Sequence, residues 1–158
     1  MIRPVALAAL LVIAAACGST GTGSSPSPSP SPVVTTPVTT PSPAGLTFKL
    51  NGVKTTAGGT ITVTSQPSMF TVELKITGLQ PTSRHVSHIH VGSCANRGSI
   101  KYALNYVVAD GQGDADTKTT LRAKYPPTSG KWYVVVHVGP DMATSANATY
   151  LLCGNLFK

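Results

Sequence analysis

Short segments of alternating apolar and polar residues, separated by turns rich in glycine and proline, are the feature that most restricts the fold of this chain. Residues 69–77 alternate up to Gly78, and the segment before Asn51-Gly52 ends in a dipeptide typical of hairpin turns. Seven or eight such segments, without an amphipathic helix of ten or more residues, predict an all-β antiparallel sandwich or barrel. The predicted strands are residues 46–50, 60–64, 69–77, 86–91, 102–108, 115–122, 132–137 and 149–153.

The N-terminal sequence predicts export and a lipid anchor. Arg3 precedes an apolar run over residues 5–16, which is shorter than the roughly 20 residues of a transmembrane helix and suits a signal peptide. Cys17 follows directly and resembles the cysteine of a bacterial lipobox, although Ala14 stands where leucine is more usual. We predict a signal peptide at residues 1–16, a lipidated Cys17 and an extracytoplasmic protein anchored to the bacterial cell membrane. An ordinary cleaved signal with an incidental cysteine is the alternative.

A linker and one domain follow the signal. Residues 18–44 contain no aromatic and no charged residue and include a Ser-Pro repeat. Such a segment cannot bury enough apolar surface to fold, so residues 17–44 are predicted to be a disordered, extended spacer. Residues 45–158 have the usual size of a single domain. A cell-wall or adhesion module on this stalk is one interpretation of the arrangement.

The charge balance is basic, with a formal net charge of +7 and only five acidic residues. A basic exported protein suits anionic membranes, anionic polymers or small anionic substrates. A solvated basic surface is the simplest interpretation. Nucleic acid is not expected as a partner, because the basic residues are scattered and are not interleaved with aromatic residues.

Two cysteines remain beyond Cys17, namely Cys94 and Cys153. In an oxidising compartment an even pair is expected to be bridged, so we predict a disulfide between them. Two free buried thiols are the alternative. A metal site built on these cysteines is not expected, because neither has a Cys-x-x-Cys partner.

The histidines carry the clearest functional signal. His88 and His90 are two residues apart on a predicted strand, so they share one face, with Ile89 directed to the core. His137 ends a separate strand, and if that strand lies beside the first, three imidazoles converge. Such a site suits copper better than magnesium or calcium. His85 is a fourth ligand or, as we favour, a structural residue. Taken singly, the His-x-His pair could be surface decoration and His137 a satisfied core residue.

From Gly78 onward the sequence resembles the copper/zinc superoxide dismutases and the related CHRD-type domains. The motifs are Gly78-Leu79, His85-x-x-His88-Ile89-His90, Val134-Val135-Val136-His137 and Leu152-Cys153-Gly154-Asn155-Leu156. The resemblance implies a superoxide dismutase-like Greek-key β-sandwich. It also implies that His88, His90 and His137 bind copper, that Cys94 and Cys153 form the disulfide, and that superoxide is the substrate.

The sequence also departs from the dismutase pattern. No histidine lies between Cys94 and His137, and the aspartates of that stretch (Asp110, Asp114 and Asp116) are better explained as turn residues, so a zinc site is not expected. The family's active-site arginine, three residues before the second cysteine, is replaced by Tyr150. Arg97 or Lys101 could supply positive potential instead.

Two functions follow from these observations. The first is a copper-dependent superoxide dismutase that is anchored to the membrane by lipid. The second is a non-catalytic module of the same architecture, which stores or relays copper, with Met142 as a further candidate ligand, or acts as a CHRD-like binding domain without metal.

Overall fold

The computed structural model describes residues 45–158, and within them the chain forms ten β-strands and no helix. The predicted signal peptide, Cys17 and the linker lie outside the described residues. The strands are β1 (Leu46–Gly52), β2 (Gly58–Ser65), β3 (Phe70–Thr77), β4 (Arg84–His85), β5 (Ser87–Gly92), β6 (Arg97–Ala103), β7 (Val107–Val108), β8 (Ala115–Leu121), β9 (Trp132–His137) and β10 (Tyr150–Asn155). Within the same range, no helix has the length and apolar character needed to cross a membrane.

Eight strands form one antiparallel sheet in the order β6-β5-β9-β10-β1-β2-β3-β8, and β4 pairs with β7 in a small second sheet. Strand β1 belongs to both halves of the large sheet. Its residues 46–50 pair with β2, whereas Asn51 and Gly52 pair with Cys153 and Leu152 of β10. The curled sheet confirms the predicted all-β antiparallel architecture.

The main core lies between the two halves of the curled sheet. Alternate residues of β3 are buried, as the period of two predicts. The core is formed by apolar side chains of both halves, including Leu50, Ile61, Val63, Phe70, Val72, Leu74, Ile76, Ile89, Trp132, Val134, Val136 and Leu152. Strand β9 is buried along its whole length, because a second, smaller cluster containing Tyr133, Val135 and Cys153 covers its other face.

Two details of the predicted strands are wrong. Asn51-Gly52 is not a hairpin turn, because both residues continue β1 into its pairing with β10, and the chain turns after them at Lys54, whose φ is 62°. The predicted strand at residues 102–108 is divided between β6 and β7. The chain leaves the sheet at Asn105, whose side chain donates a hydrogen bond to the carbonyl of Lys118 on β8. This bond takes the place of the ladder bonds of a continuous strand.

Candidate metal centre

Adjacent strands bring three of the histidines together. In the antiparallel pairing of β5 with β9, His88 lies opposite Val135 and His90 lies opposite Tyr133. Directly paired residues share a face of the sheet, so His88 and His90 project on the same side as His137, which is two residues beyond Val135. Ile89 projects to the opposite side and is fully buried in the main core.

Backbone carbonyl groups orient two of the three rings. His90 Nδ1 donates a hydrogen bond of 3.0 Å to the carbonyl of Gly98, and His137 Nδ1 donates one of 2.8 Å to the carbonyl of Ala148. A carbonyl only accepts, so both Nδ1 atoms carry the proton and each neutral ring presents the lone pair of Nε2. This is the arrangement in which protein histidines usually bind metal ions.

The free nitrogens of the three rings point to one place. The buried side-chain nitrogen and oxygen atoms that lack a hydrogen-bond partner, within residues 45–158, are His88 Nδ1, His90 Nε2 and His137 Nε2. Buried polar atoms without partners are rare, because each costs about 1–3 kcal/mol. That all of them fall in one cluster is explained if an ion accepts their lone pairs.

The spacing of the rings fits an ion. One ring nitrogen from each of His88, His90 and His137 lies within 4.8 Å of the other two. Three nitrogens arranged evenly around one ion, each at about 2.1 Å from it, are about 3.6 Å apart. Closing each pair of nitrogens by about 1.2 Å at most is therefore enough for binding. The residues present can hold a metal ion.

Burial keeps two of these rings neutral. Desolvation lowers the pKa of His88 to about 4, and the neighbouring His137 and His90 add to the effect. Desolvation also lowers the pKa of His137, partly opposed by its bond to the carbonyl of Ala148. A metal ion needs the unprotonated ring, so the site is ready for binding at neutral pH.

His85 lies outside the group of three. Its Nδ1 donates to the carbonyls of His137 and Val138 at 3.0 and 2.9 Å, and its Nε2 lies 2.8 Å from the hydroxyl of Ser83. Both ring nitrogens are therefore engaged by the protein. The ring ties β4 to the end of β9 and so supports the backbone that carries His137.

The disulfide lies on the same face of the sheet as the three histidines. Cys94 and Cys153 are bridged, with Cα atoms 5.9 Å apart, which confirms the predicted pairing. Cys153 packs with Tyr133 and Val135 in the smaller cluster, on the histidine face of β9. The backbone amide of Cys94 also donates to the side chain of Asn155. The bridge thus fixes the loop after β5 to β10.

The aspartates of the Cys94–His137 stretch lie elsewhere. Asp110 accepts hydrogen bonds from the backbone amides of Gln112 and Asp114, as expected for a turn residue. Asp116 lies on β8 and forms an ion pair with Lys75 on β3. Neither carboxylate belongs to the histidine group.

Sequence reasoning did not assign Tyr133 to the site, and it connected Tyr150 with the site only as the residue at the position of the family's active-site arginine. Their hydroxyl groups are 2.9 Å apart, and the ring of Tyr150 lies 5.4 Å from that of His137 and 5.8 Å from that of His90. Tyr133 lies four residues before His137 on β9, so its side chain projects from the same face. The alternation of this strand therefore indicated that Tyr133 lies near the histidines. The guanidinium of Arg97 lies 4.3 Å from the centre of the Tyr150 ring, a contact that no local pattern indicates.

A cleft lies beside Tyr150, whose ring is next to those of His90 and His137. It has a volume of about 570 Å³ and is lined by residues that include Lys54, Arg97, Ala148 and Tyr150, without a histidine or an acidic side chain. Among the ion pairs formed within residues 45–158, none involves Lys54 or Arg97. The cleft therefore has a positive potential and suits small anions.

Comparisons with known proteins agree with this architecture. A superoxide dismutase (SOD)-like protein from Bacillus subtilis has a similar structure, with a TM-score of 0.57 and 15% sequence identity, over 72% of this chain and 100% of that chain. A double mutant of a SOD-like protein from Bacillus subtilis, with a tyrosine and a proline changed to histidine, has a TM-score of 0.53 and 16% identity, over 71% of this chain and 97% of that one. No curated protein matches the sequence.

The family assignment comes from the sequence itself. The model of the CHRD domain matches residues 33–139 of the chain's 158 residues. The match includes β5, β9 and all three histidines of the group. The fold is that of the SOD-like proteins, and the chain belongs to the CHRD domain family.

Proposed function

We propose that this protein binds one copper ion through His88, His90 and His137 and dismutates superoxide outside the cytoplasm. The observation that carries the proposal is the convergence of three buried ring nitrogens that have no protein partner. Three neutral imidazoles without a carboxylate are a donor set that favours copper, which also binds nitrogen sites more tightly than the other divalent first-row metals.

The bound copper would supply a one-electron redox couple, by which one superoxide is oxidised to dioxygen and a second is reduced to peroxide. The protein holds the rings that bind the ion and excludes water from two of them, since His90 and His137 are only 5% and 1% exposed. His88 is the more accessible ligand.

Lys54 and Arg97 are suited to attract the anionic substrate. Both are exposed, line the cleft beside Tyr150 and have no acidic partner among the described residues. Fixed positive charge at a cleft raises the local concentration of an anion, and the effect weakens as salt is added. These side chains would serve in place of the arginine that Tyr150 replaces.

The test is metal analysis and kinetics on the full chain. Wild type should bind one copper per chain and accelerate superoxide decay in stopped-flow measurements. His88→Gln should weaken copper binding by more than about 10-fold, the smaller of the losses that follow removal of an outer contact to a ligand, and should abolish turnover. Asp116→Asn is the matched control, because that carboxylate pairs with Lys75 outside the histidine group, and it should retain copper. A wild-type chain that binds no copper would refute the proposal.

Storage or relay of copper without turnover is the second candidate. It is favoured by Tyr150, which occupies the position of the dismutase arginine, and by the match to the CHRD domain. A protein that binds copper at one equivalent but leaves the rate of superoxide decay unchanged would establish this alternative.

The site of action is also a proposal. A lipidated Cys17 would hold the domain on the outer face of the cell membrane. Expression of the full chain in a bacterial host should place it in the membrane fraction with a mass increase on Cys17. Cys17→Ser should remove the modification and release the protein. A wild-type protein without lipid on Cys17 would exclude the anchor.

A further inference from the structure

We infer that Tyr133, supported by Tyr150, is a positioning residue that fixes the Gly98 peptide and through it the orientation of the His90 ring. The inference concerns the same site as the proposed function and rests on metal binding there, but not on turnover. Four contacts in series carry it.

Both backbone groups of Gly98, which belong to the two peptide bonds flanking its Cα, are held by side chains. Its carbonyl accepts the hydrogen bond of 3.0 Å from His90 Nδ1, and its amide donates one of 3.1 Å to the hydroxyl of Tyr133. The pairing of β5 with β6 shifts register between His90 and Gly92, so the regular ladder is interrupted beside Gly98. Where the ladder hydrogen bonds are interrupted, the orientation of the backbone depends on hydrogen bonds to side chains.

Glycine is required at position 98 because β6 approaches β5 very closely there. A Cβ atom on Gly98 would lie 2.1 Å from the carbonyl oxygen of Val91. The close approach brings the Gly98 carbonyl within hydrogen-bonding distance of the His90 ring. The peptide therefore sets the direction of Nδ1, and the opposite side of the ring directs Nε2 toward the other histidines.

Tyr133 supports the same ring in a second way. Its side chain is fully buried, and its ring lies 5.2 Å from that of His90 at an angle of 31°. A buried hydroxyl needs partners, and Tyr133 has them in the Gly98 amide and the Tyr150 hydroxyl. The ring supplies packing, whereas the hydroxyl supplies the connection to Gly98.

Tyr150 completes the arrangement from the cleft side. Its hydroxyl shares a hydrogen bond of 2.9 Å with that of Tyr133, and its ring stacks beneath Arg97, the residue next to Gly98. Residues 97 and 98 are therefore attached to the tyrosine pair at two adjacent points.

The hydroxyl can be tested separately from the packing, because phenylalanine retains the ring. The full chain should be prepared as wild type, Tyr133→Phe, Tyr150→Phe and Tyr125→Phe. Tyr125 is the matched control, because it is also buried and its hydroxyl donates to the carbonyl of Leu156, outside the histidine group. Each variant loses one hydroxyl and no ring.

The first measurement uses the metal-free protein. Long-range ¹⁵N–¹H correlation at about pH 8, where the imidazoles are neutral, reports which nitrogen of each ring carries the proton. The four histidines of the chain keep the spectrum simple. In wild type and Tyr125→Phe, His90 should be protonated at Nδ1. In Tyr133→Phe it should move toward a mixture of the two tautomers.

The second measurement is copper affinity by competition with a chelator. Loss of an outer contact to a metal-binding histidine typically weakens affinity about 10- to 100-fold, and we expect a change of that size for Tyr133→Phe and none for Tyr125→Phe. If the wild-type chain binds no copper, the proposed function fails, and the tautomer measurement still decides this inference.

The inference is overturned if Tyr133→Phe keeps both the Nδ1-protonated His90 and the wild-type copper affinity. If Tyr133→Phe does not fold, as judged by near-ultraviolet circular dichroism, Tyr150→Phe decides instead. That variant leaves the Gly98–Tyr133 bond in place but removes its support, so a smaller shift of the His90 tautomer in the same direction is expected. An unchanged tautomer in that variant would equally overturn the inference.

Discussion

His88 on β5 lies directly opposite Val135 on β9, and Val135 shares its face of the strand with His137. This pairing explains how residues almost fifty positions apart meet at one point. The register is fixed by the alternation of Val134 and Val136 into the main core. The packing of apolar side chains therefore sets the geometry of the polar site.

The disulfide should account for a large part of the stability. The bridge between Cys94 and Cys153 closes a loop with a sequence separation of 59. A loop of that length restricts the unfolded chain by about 4 kcal/mol. The Cys94→Ser/Cys153→Ser double variant should lose about that much free energy of unfolding in urea titrations. Dithiothreitol should destabilise wild type to the same extent and leave the double variant unaffected; equal sensitivity of both would contradict the prediction.

Charge at the cleft should control the reaction with superoxide. Lys54→Gln should lower the second-order rate constant by up to about tenfold at low ionic strength. Lys124→Gln is the matched control, because that exposed lysine lines a different cavity. The difference between the two variants should vanish at about 1 M salt, where the screening length is about 3 Å. Equal losses in both variants would show that only net charge matters.

The metal-free protein should lose stability as the pH falls from 6.5 to 4. The pKa of His88 is lowered from 6.5 to about 4 in the folded state, so the unfolded state binds more protons in this window. Stability is thus complete above 6.5 and declines through about 4, by less than about 3 kcal/mol because the ring is partly exposed. The lowered pKa of His137 acts in the same direction.

Urea titrations of the metal-free chain across this range provide the measurement. His88→Gln removes one of the titrating groups, so the slope of unfolding free energy against pH should be smaller than in wild type. Identical slopes for the two proteins would show that His88 titrates normally when folded.

Gly98→Ala should damage both the sheet and the site. The added Cβ would collide with the Val91 carbonyl at 2.1 Å, and overpacking of this kind costs about 1–3 kcal/mol. Displacement of the Gly98 carbonyl should also weaken copper binding, because this carbonyl orients the His90 ring. Gly111→Ala is the matched control, because a Cβ added there would meet no atom within 4 Å. Thermal unfolding and chelator competition provide the two measurements, and a Gly98→Ala protein that behaves like Gly111→Ala would contradict the close approach.

Much of the fold and the central part of the site could be predicted from the sequence, because both depend on a period of two. Alternation placed His88 and His90 on one face and directed Ile89 to the core. The cysteine count was enough to predict the bridge. Contacts between distant segments were not predictable, because they depend on register. Asn51-Gly52 forms no turn because β10 pairs with it. Arg97 contacts Tyr150 because the pairing of β6 with β5 places it there.

Strand β9 is covered on both faces. Its side chains therefore point alternately into the apolar main core and toward the histidine group. Insertion of a single residue within β9 would reverse the faces of the residues that follow it. His137 would then point into the apolar core, and Val136 would point toward the other two histidines. Length changes should therefore be tolerated at the exposed residues 140–146 of the connection between β9 and β10, but not within β9 or at Ala148, whose carbonyl orients His137. The side chains that β9 presents to the site can change by substitution, whereas the number of residues in β9 has to stay the same.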